Sequence, residues 1–414
     1  MGAMHSCGEV SAHFSFDERQ HSSQAWGRRL GRVLKSSVGA RAWATKPMNK
    51  RTEKGASGGT RRRLFYAVGL GVLSAIGLTE LAMQLILAPA TYERPFVLDS
   101  EGTRVPLSDV IKAVRESAHG EQRVMAMKMC YDRPDWSYFD PGGCVRVDSN
   151  SLGLRNEEIG PRSPGEFRAL AVGDSFTFGL GVQAEDTWAE QLEALLQARR
   201  SEVVEVVNAG LAEGAHEPRM YADWVEKTGL SLDPDLVIVG FCLNDMDRRV
   251  AMAKLPERLR DPWLGGHSQI LLRLQLRLRR RAFERSQAQD PEARFEREAA
   301  LVVGDGPWTL RRAGLLRLKA LLDERGVRML VAIFPMMTGL EENYPYYRLH
   351  DEVSRFCSAE GIEHLDLLPP LQAYIETLGS YSDADFWVHP TDQHPTPPVH
   401  RVFAEGLHAY LSES

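Results

Sequence analysis

The chain has 414 residues, of which 43% are hydrophobic and 26% charged, a globular composition with room for one large domain and appendages. Its net charge of −6 excludes a nucleic-acid binder that works by neutralising phosphates. It carries no dinucleotide or ATP fingerprint, so no cofactor is assigned.

Residues 1–63 are basic, rich in Ser, Gly, Lys and Arg, and lack a sustained apolar period, which predicts disorder. Met48 opens Met-Asn-Lys-Arg, and residues 1–47 read as an upstream extension of the frame, with a cytosolic tail as the alternative. Leu64 to Thr79 is then an uninterrupted apolar run, which continues past Glu80 and Gln84 to Ala88. Arg61, Arg62 and Arg63 precede it. About 20 apolar residues cross a bilayer, and flanking basic residues stay on the cytoplasmic side. Residues 64–88 are therefore expected to be a single-pass signal anchor, with the C-terminal domain extracytoplasmic. A cleaved signal peptide and a buried helix are the alternatives.

Residues 89–150 read as a membrane-proximal segment, a linker plus a small cap. Within it Cys130 and Cys144 bracket a loop rich in Asp, Pro, Gly and aromatics. In an exported domain an oxidising environment favours a disulfide there, and two unpaired thiols are the alternative. Cys242 and Cys357 fall in strand and helix patterns and are expected to be core thiols.

From residue 167 strand and helix patterns alternate. Phe167 to Val172, Val203 to Val207, Leu236 to Phe241, Val327 to Phe334 and His364 to Leu368 read as strands. Between them, Thr187-Trp188-Ala189-Glu190 reads as a capping box, and Pro218 suits the first turn of a helix. Trp308 to Arg325 and Arg348 to Glu360 are helical patterns stopped by Gly326 and Gly361. A last helix closes the chain. Alternation of this kind predicts a parallel sheet with helices on both faces. Residues 251–306 interrupt it as a helical insertion. There Leu271 to Arg285 mixes leucines with arginines, the pattern of a lid helix or of one lying on an anionic membrane or polysaccharide.

Three segments at strand ends carry chemistry. Gly173-Asp174-Ser175 follows Leu170-Ala171-Val172, so a hydroxyl sits on a tight turn where glycine lets the backbone approach a substrate. Leu236 to Phe241 runs into Asn244-Asp245, and an Asn amide there can donate to an oxyanion. His389-Pro390-Thr391-Asp392-Gln393-His394-Pro395 supplies a base and an orienting acid. The histidines of that loop also permit a metal site, but no Cys or Glu cluster accompanies them and no metal is assigned.

In this order the segments resemble the SGNH (GDSL-type) hydrolase family over about residues 150–411. Gly173-Asp174-Ser175 is similar to its first block. Gly240-Phe241-Cys242-Leu243-Asn244-Asp245 is similar to its third, and Asp392-Gln393-His394-Pro395 to its last, with a second histidine at His400. The second block corresponds to Val206 to Gly214. Asn150-Ser151-Leu152-Gly153-Leu154-Arg155 is similar to a stretch that anchored members carry ahead of the serine block. The chain departs from the pattern in having Asp392 two residues rather than three before His394, Thr396 for Asn, and Val399 for Gly.

The fold class expected is α/β, a three-layer α/β/α sandwich with a parallel, flavodoxin-like sheet of about five strands plus one N-terminal transmembrane helix. The SGNH domain would span 151–412. The resemblance implies Ser175 as nucleophile, His394 as base and Asp392 as its orienting acid. The oxyanion donors would be the Ser175 amide, the Gly214 amide in preference to that of Gly210, and the Asn244 side chain. The expected activity is that of a serine esterase on carboxylic esters of carbohydrate or lipid, including O-acetyl groups of envelope polysaccharide. Rival readings are an O-acyltransferase with the same residues, a non-catalytic polysaccharide-binding protein on the same fold, and a metal-dependent phosphoesterase.

Overall fold

The computed structural model describes residues 57–86, 95–107, 110, 126–132, 134, 136–211, 217–246, 268–274, 277–278, 281, 302–303, 307–340 and 344–413. The expectations for residues 1–56, and for most of the 251–306 insertion, lie outside the described residues.

Helix α1 spans Ser57–Ile86. Its Arg62–Ile86 part is long and apolar enough to cross a membrane, and its leucines are exposed. Glu80, the one acidic break, accepts hydrogen bonds from Gln84 Nε2, Ser268 Oγ and the Ile270 amide, each at 3.0 Å. In the helical segment that follows Ser268, Leu272 is buried while Leu271, Leu274 and Leu278 are exposed.

Four short strands follow: β1 (Phe96–Leu98), β2 (Arg104–Pro106), β3 (Ala126–Cys130) and β4 (Cys144–Asp148). They form an antiparallel sheet in the order β2-β1-β3-β4. The sequence here shows no strand pattern, because three to five residues are too few to display a period. Cys130 and Cys144 are register partners across β3 and β4, and their sulfurs are bonded.

The large sheet is built from β5 (Phe167–Gly173), β6 (Val204–Gly210), β7 (Leu236–Cys242), β8 (Arg328–Phe334) and β9 (Glu363–Asp366). All pairs are parallel, in the order β6-β5-β7-β8-β9. This is the flavodoxin-like order, whose switch point falls between β5 and β7. Strand β6 runs three residues beyond the end expected from sequence, because Asn208, Ala209 and Gly210 still pair with β5.

Helices cover both faces, and strand alternation assigns them. A Cβ at Gly240 would meet the Trp188 ring of α3 (Trp188–Gln197) and Phe334, whose ring in turn packs on Phe403 of α8 (Pro397–Glu413). The next residue, Phe241, points the other way and meets the Trp308 ring of α5 (Pro307–Asp323), with centroids 6.0 Å apart. Trp308 also packs edge-on against Phe356 of α6 (Tyr347–Ala359). Gly314 of α5 lets that helix lie against the backbone of Arg219 in α4 (Pro218–Lys227), where a Cβ would approach to 2.5 Å. On the first face α7 (Leu368–Glu376) packs beside α8.

The Thr187 cap is half of the expected box. Its hydroxyl accepts from the Glu190 amide, but the Glu190 carboxylate turns to Asn156 Nδ2 instead. The segment read as a histidine-bearing loop is a hairpin of β10 (Trp387–His389) and β11 (Asp392–Pro395). Cys242 and Cys357 are buried free thiols.

Candidate active site

Gly173 ends β5 at the carboxyl edge of the sheet, and the chain turns at once into the single helical turn α2 (Ser175–Phe178). Asp174 caps it, accepting the Phe176 amide at 2.9 Å. As a first-turn residue, Ser175 has no intrahelical partner for its amide. The turn has room for nothing larger than glycine: a Cβ at Gly173 would lie 2.1 Å from Thr177 Oγ1 and 2.6 Å from the Gly240 carbonyl.

The β10–β11 hairpin brings His394 to the same edge. Its Nδ1 lies 2.5 Å from Asp392 Oδ1 and its Nε2 lies 2.8 Å from Ser175 Oγ. The carboxylate accepts from Nδ1–H, which leaves Nε2 as the acceptor for the serine hydroxyl. Asp392 Oδ1 also accepts the His394 amide at 3.3 Å. Burial opposes the charge on both groups, but each supports the other. The imidazolium beside it holds Asp392 below the usual carboxylate range. The Asp392 charge and hydrogen bond, with the nearby Asp174, raise His394 above the ordinary imidazole value.

Asn244 follows β7 in a short 3₁₀ turn, Leu243–Asp245, across the switch point from Ser175. Its Nδ2 donates to Asp174 Oδ2 at 3.1 Å, so the residue before the serine orients the amide. An amide nitrogen carries two hydrogens, and the second is available to a ligand. Asp245 points into the core instead, where both its oxygens lie 3.0 Å from Tyr221 OH. Burial first, then the charge of Asp174, pushes the Asp245 carboxyl well above its ordinary range.

Of the two glycines weighed as amide donors, Gly214 lies outside the described residues. Gly210 is committed to packing: its amide donates to Asn208 Oδ1 at 3.0 Å, and a Cβ there would lie 2.2 Å from the Phe178 nitrogen. The remaining histidines of the C-terminal motif point elsewhere. The His389 Nε2 donates to the Asp132 carbonyl at 2.7 Å. His400 accepts the Trp188 amide on Nδ1 at 3.2 Å, and burial with nearby positive charge pushes its pKa down to about 3. Among the described residues no group of His, Cys, Asp or Glu is arranged to hold a metal ion.

Three contributors were not assigned from sequence. Asp174 lies within the serine motif, whose local sequence does not reveal that it also caps α2 and holds Asn244. Tyr131, from the segment after β3, donates its hydroxyl to Asp392 Oδ2 at 2.8 Å. Its separation from Asp392 by 261 positions leaves no local signal. Arg155, noted only within its motif, is fully buried and donates to the carbonyls of Phe178, Gly179, Val182 and Arg146. It thereby fixes the loop leaving α2, at the cost of a pKa lowered by burial to about 10.

A doubly wound sheet with these blocks on its carboxyl edge is the architecture of an acyl hydrolase. Residues 171–394 match the GDSL-like Lipase/Acylhydrolase family, and the chain belongs to it. No curated protein matches it in sequence. Among solved structures it is similar to a G-D-S-L family lipolytic protein from Desulfitobacterium hafniense, with 15% identity, 58% of this chain and 98% of that one covered, and a TM-score of 0.36. A catalytic mutant of the acetylxylan esterase Axe2 from Geobacillus stearothermophilus is similar at 14% identity, 58% and 92% coverage and a TM-score of 0.38. The acetyl xylan esterase AlAXEase is similar at 14% identity, 59% and 100% coverage and a TM-score of 0.37.

Proposed function

We propose that the chain is a membrane-anchored serine esterase whose catalytic domain, about residues 151–412, faces the extracytoplasmic side and cleaves carboxylic esters through an acyl-enzyme. The observation that carries this reading is the 2.8 Å approach of His394 Nε2 to Ser175 Oγ, made between residues 219 positions apart. Ser175 Oγ attacks the ester carbonyl while His394 Nε2 takes its proton. Asp392 holds the tautomer and stabilises the imidazolium. The Ser175 amide, the second hydrogen of Asn244 Nδ2 and the Gly214 amide receive the charge on the carbonyl oxygen. Collapse expels the alcohol, which takes the proton back from His394. Water then repeats the sequence on the acyl-serine.

The proposed setting of the domain supports a substrate class. An anchored domain outside the membrane meets polysaccharide and lipid esters, including O-acetyl groups of envelope polysaccharide. Residues 64–88 supply the anchor in this reading.

The test uses a fluorophosphonate probe on the full chain in detergent, beside Ser175→Ala and His394→Ala. Labelling of the parent alone supports the reading. Absence of labelling in a folded parent would leave the non-catalytic binding protein as the better description. Unlabelled parent enzyme is then given acetylated polysaccharide with and without a sugar acceptor. Free acetate identifies a hydrolase, and acetylated acceptor identifies a transferase using the same residues.

A further inference from the structure

The histidine hairpin is tied to the small antiparallel sheet by hydrogen bonds from one short segment. Tyr131 OH donates to Asp392 Oδ2 at 2.8 Å, His389 Nε2 donates to the Asp132 carbonyl at 2.7 Å, and Trp136 Nε1 donates to the Trp387 carbonyl at 3.2 Å. The Tyr131 ring is buried in a cluster separate from the main core, with Met129, Phe139, Val145, Phe178, Val182 and Val388. Phe178 and Val182 follow Ser175, and Val388 precedes Asp392, so this cluster joins the sheet to both halves of the site. Gly181 leaves the space that the phenol fills, since a Cβ there would lie 2.6 Å from Tyr131 OH. The residue immediately before Tyr131 is Cys130, bonded to Cys144 on the neighbouring strand, and the Tyr131 amide donates to the Gly143 carbonyl at 3.0 Å. The backbone of Tyr131 is thus clamped from both sides of β3 and β4.

Resting on the serine esterase reading, we infer that Tyr131 is a positioning residue for the Asp392–His394 pair, and that the Cys130–Cys144 bond holds it in place, so that full activity requires the oxidised hairpin. With the hydroxyl on Oδ2 and the imidazole on Oδ1, both carboxylate oxygens are engaged and the plane of the carboxylate is set. An acid held at one oxygen can rotate away from the imidazole. Held at two, it keeps the His394 ring aimed at Ser175. A donor to a carboxylate also favours the charged form, and it takes up part of the charge that His394 would otherwise meet.

The test is the rate of fluorophosphonate labelling against pH for the full chain in detergent, in the parent, Tyr131→Phe and Ser175→Ala. Phenylalanine keeps the ring and removes only the donor. The expected result is labelling slower by about tenfold, the size of one hydrogen bond to a charged group. The acidic limb should also move to higher pH. Asp392 loses a donor to its charged form, and His394 faces a less shielded carboxylate, so both pKa values rise. The other groups facing this pair are Asp174 from the serine turn, Tyr138 beside Tyr131, and Arg155 and His400 beyond. None is altered by the substitution, so a packing defect alone would leave the limb where it was.

Dithiothreitol provides the second arm. Two electrons and two protons pass to the Cys130 and Cys144 sulfurs as the dithiol closes to its own disulfide. The reduced parent, folded by circular dichroism, should slow and shift in the same direction, and reduction should add little in Tyr131→Phe. A Tyr131→Phe enzyme with parental rate and limb would overturn the role of the hydroxyl, and an unchanged reduced parent would overturn that of the disulfide. Labelling that persists in Ser175→Ala would instead sink the serine reading, and this inference with it.

Discussion

At the scale of single residues, the candidate site sets Ser175 after β5, Asn244 after β7 and His394 in the β10–β11 hairpin, with partners that fix their orientation. Asn244 shows how close that dependence is. Its amide is aimed by Asp174, which also caps the turn that presents Ser175. Asn244→Ala is expected to slow turnover by about 10²-fold while leaving the protein folded, since one oxyanion donor is worth that much. A steady-state rate on p-nitrophenyl acetate with a matched melting curve checks this, and parental turnover would remove Asn244 from the mechanism. The pH dependence also belongs to this scale. To act as the proposed base His394 must be neutral, and its pKa is raised, so on that reading the rate should begin to fall at a pH above that of a free imidazole. Asp392 works in the opposite sense. Its folded-state pKa is depressed, so the stability it contributes is present above the unfolded carboxylate value and is lost as pH falls through the folded one. Acid denaturation of Asp392→Asn should accordingly start from a less stable protein and lose less stability between neutral and acid pH. Chemical denaturation at the two pH values measures it.

At the scale of elements, the site is positioned by close backbone approaches that only glycine permits. Gly210 lies in extended strand, yet a Cβ there would lie 2.2 Å from the Phe178 nitrogen, a backbone atom that cannot swing aside. Gly210→Ala should therefore force β6 and α2 apart. We expect a fall in melting temperature together with reduced labelling of Ser175, although the substituted residue touches no reactant. Equal stability with parental labelling would contradict the close packing of strand and turn. The Thr187 cap is a milder case. Its hydroxyl satisfies one amide at the start of α3, and Thr187→Ala should cost about 1 kcal/mol in urea denaturation with the site intact. Here the capping box expected from Thr187 and Glu190 is only half made, because Asn156 competes for the glutamate. A local motif can state which groups are able to pair, but not which competing donor another element will bring to the glutamate.

At the scale of the whole molecule, the chain joins an apolar N-terminal helix to a hydrolase domain. At about 1.5 Å per residue, the 25 residues from Arg62 to Ile86 make a helix longer than the roughly 30 Å of a hydrocarbon core. If it anchors the protein, the full chain should resist alkaline carbonate extraction from membranes, whereas a chain beginning at Thr91 should be released. A protease added to the outside of spheroplasts should reach the catalytic domain. Protection of that domain would reverse the proposed orientation.

Much of this was legible in order along the chain. Strands β7 and β8 are near-continuous apolar runs of seven residues, and burial on both faces makes such runs continuous rather than alternating. Ser175 and Asn244 were legible as candidates because each follows a sheet strand inside a short block, and Asp392 and His394 because an acid and an imidazole stand two residues apart, although the structure sets them in a hairpin and not at a strand end. What the sequence determined by itself was therefore the parallel sheet, the apolar helix and the choice of those four side chains as candidates. Only the tertiary structure decided that Ser175 meets His394, that Asp174 aims Asn244, and that Tyr131 completes the shell around Asp392. It also decided that Gly210 is a packing residue and that His400 is a buried neutral partner of α3. The physical reason is that a period or a cap is set by neighbours a few residues away, whereas these contacts are made by the closing of sheet, hairpin and small sheet on one another. Nothing in the local sequence around Tyr131 records which carboxylate its hydroxyl will face.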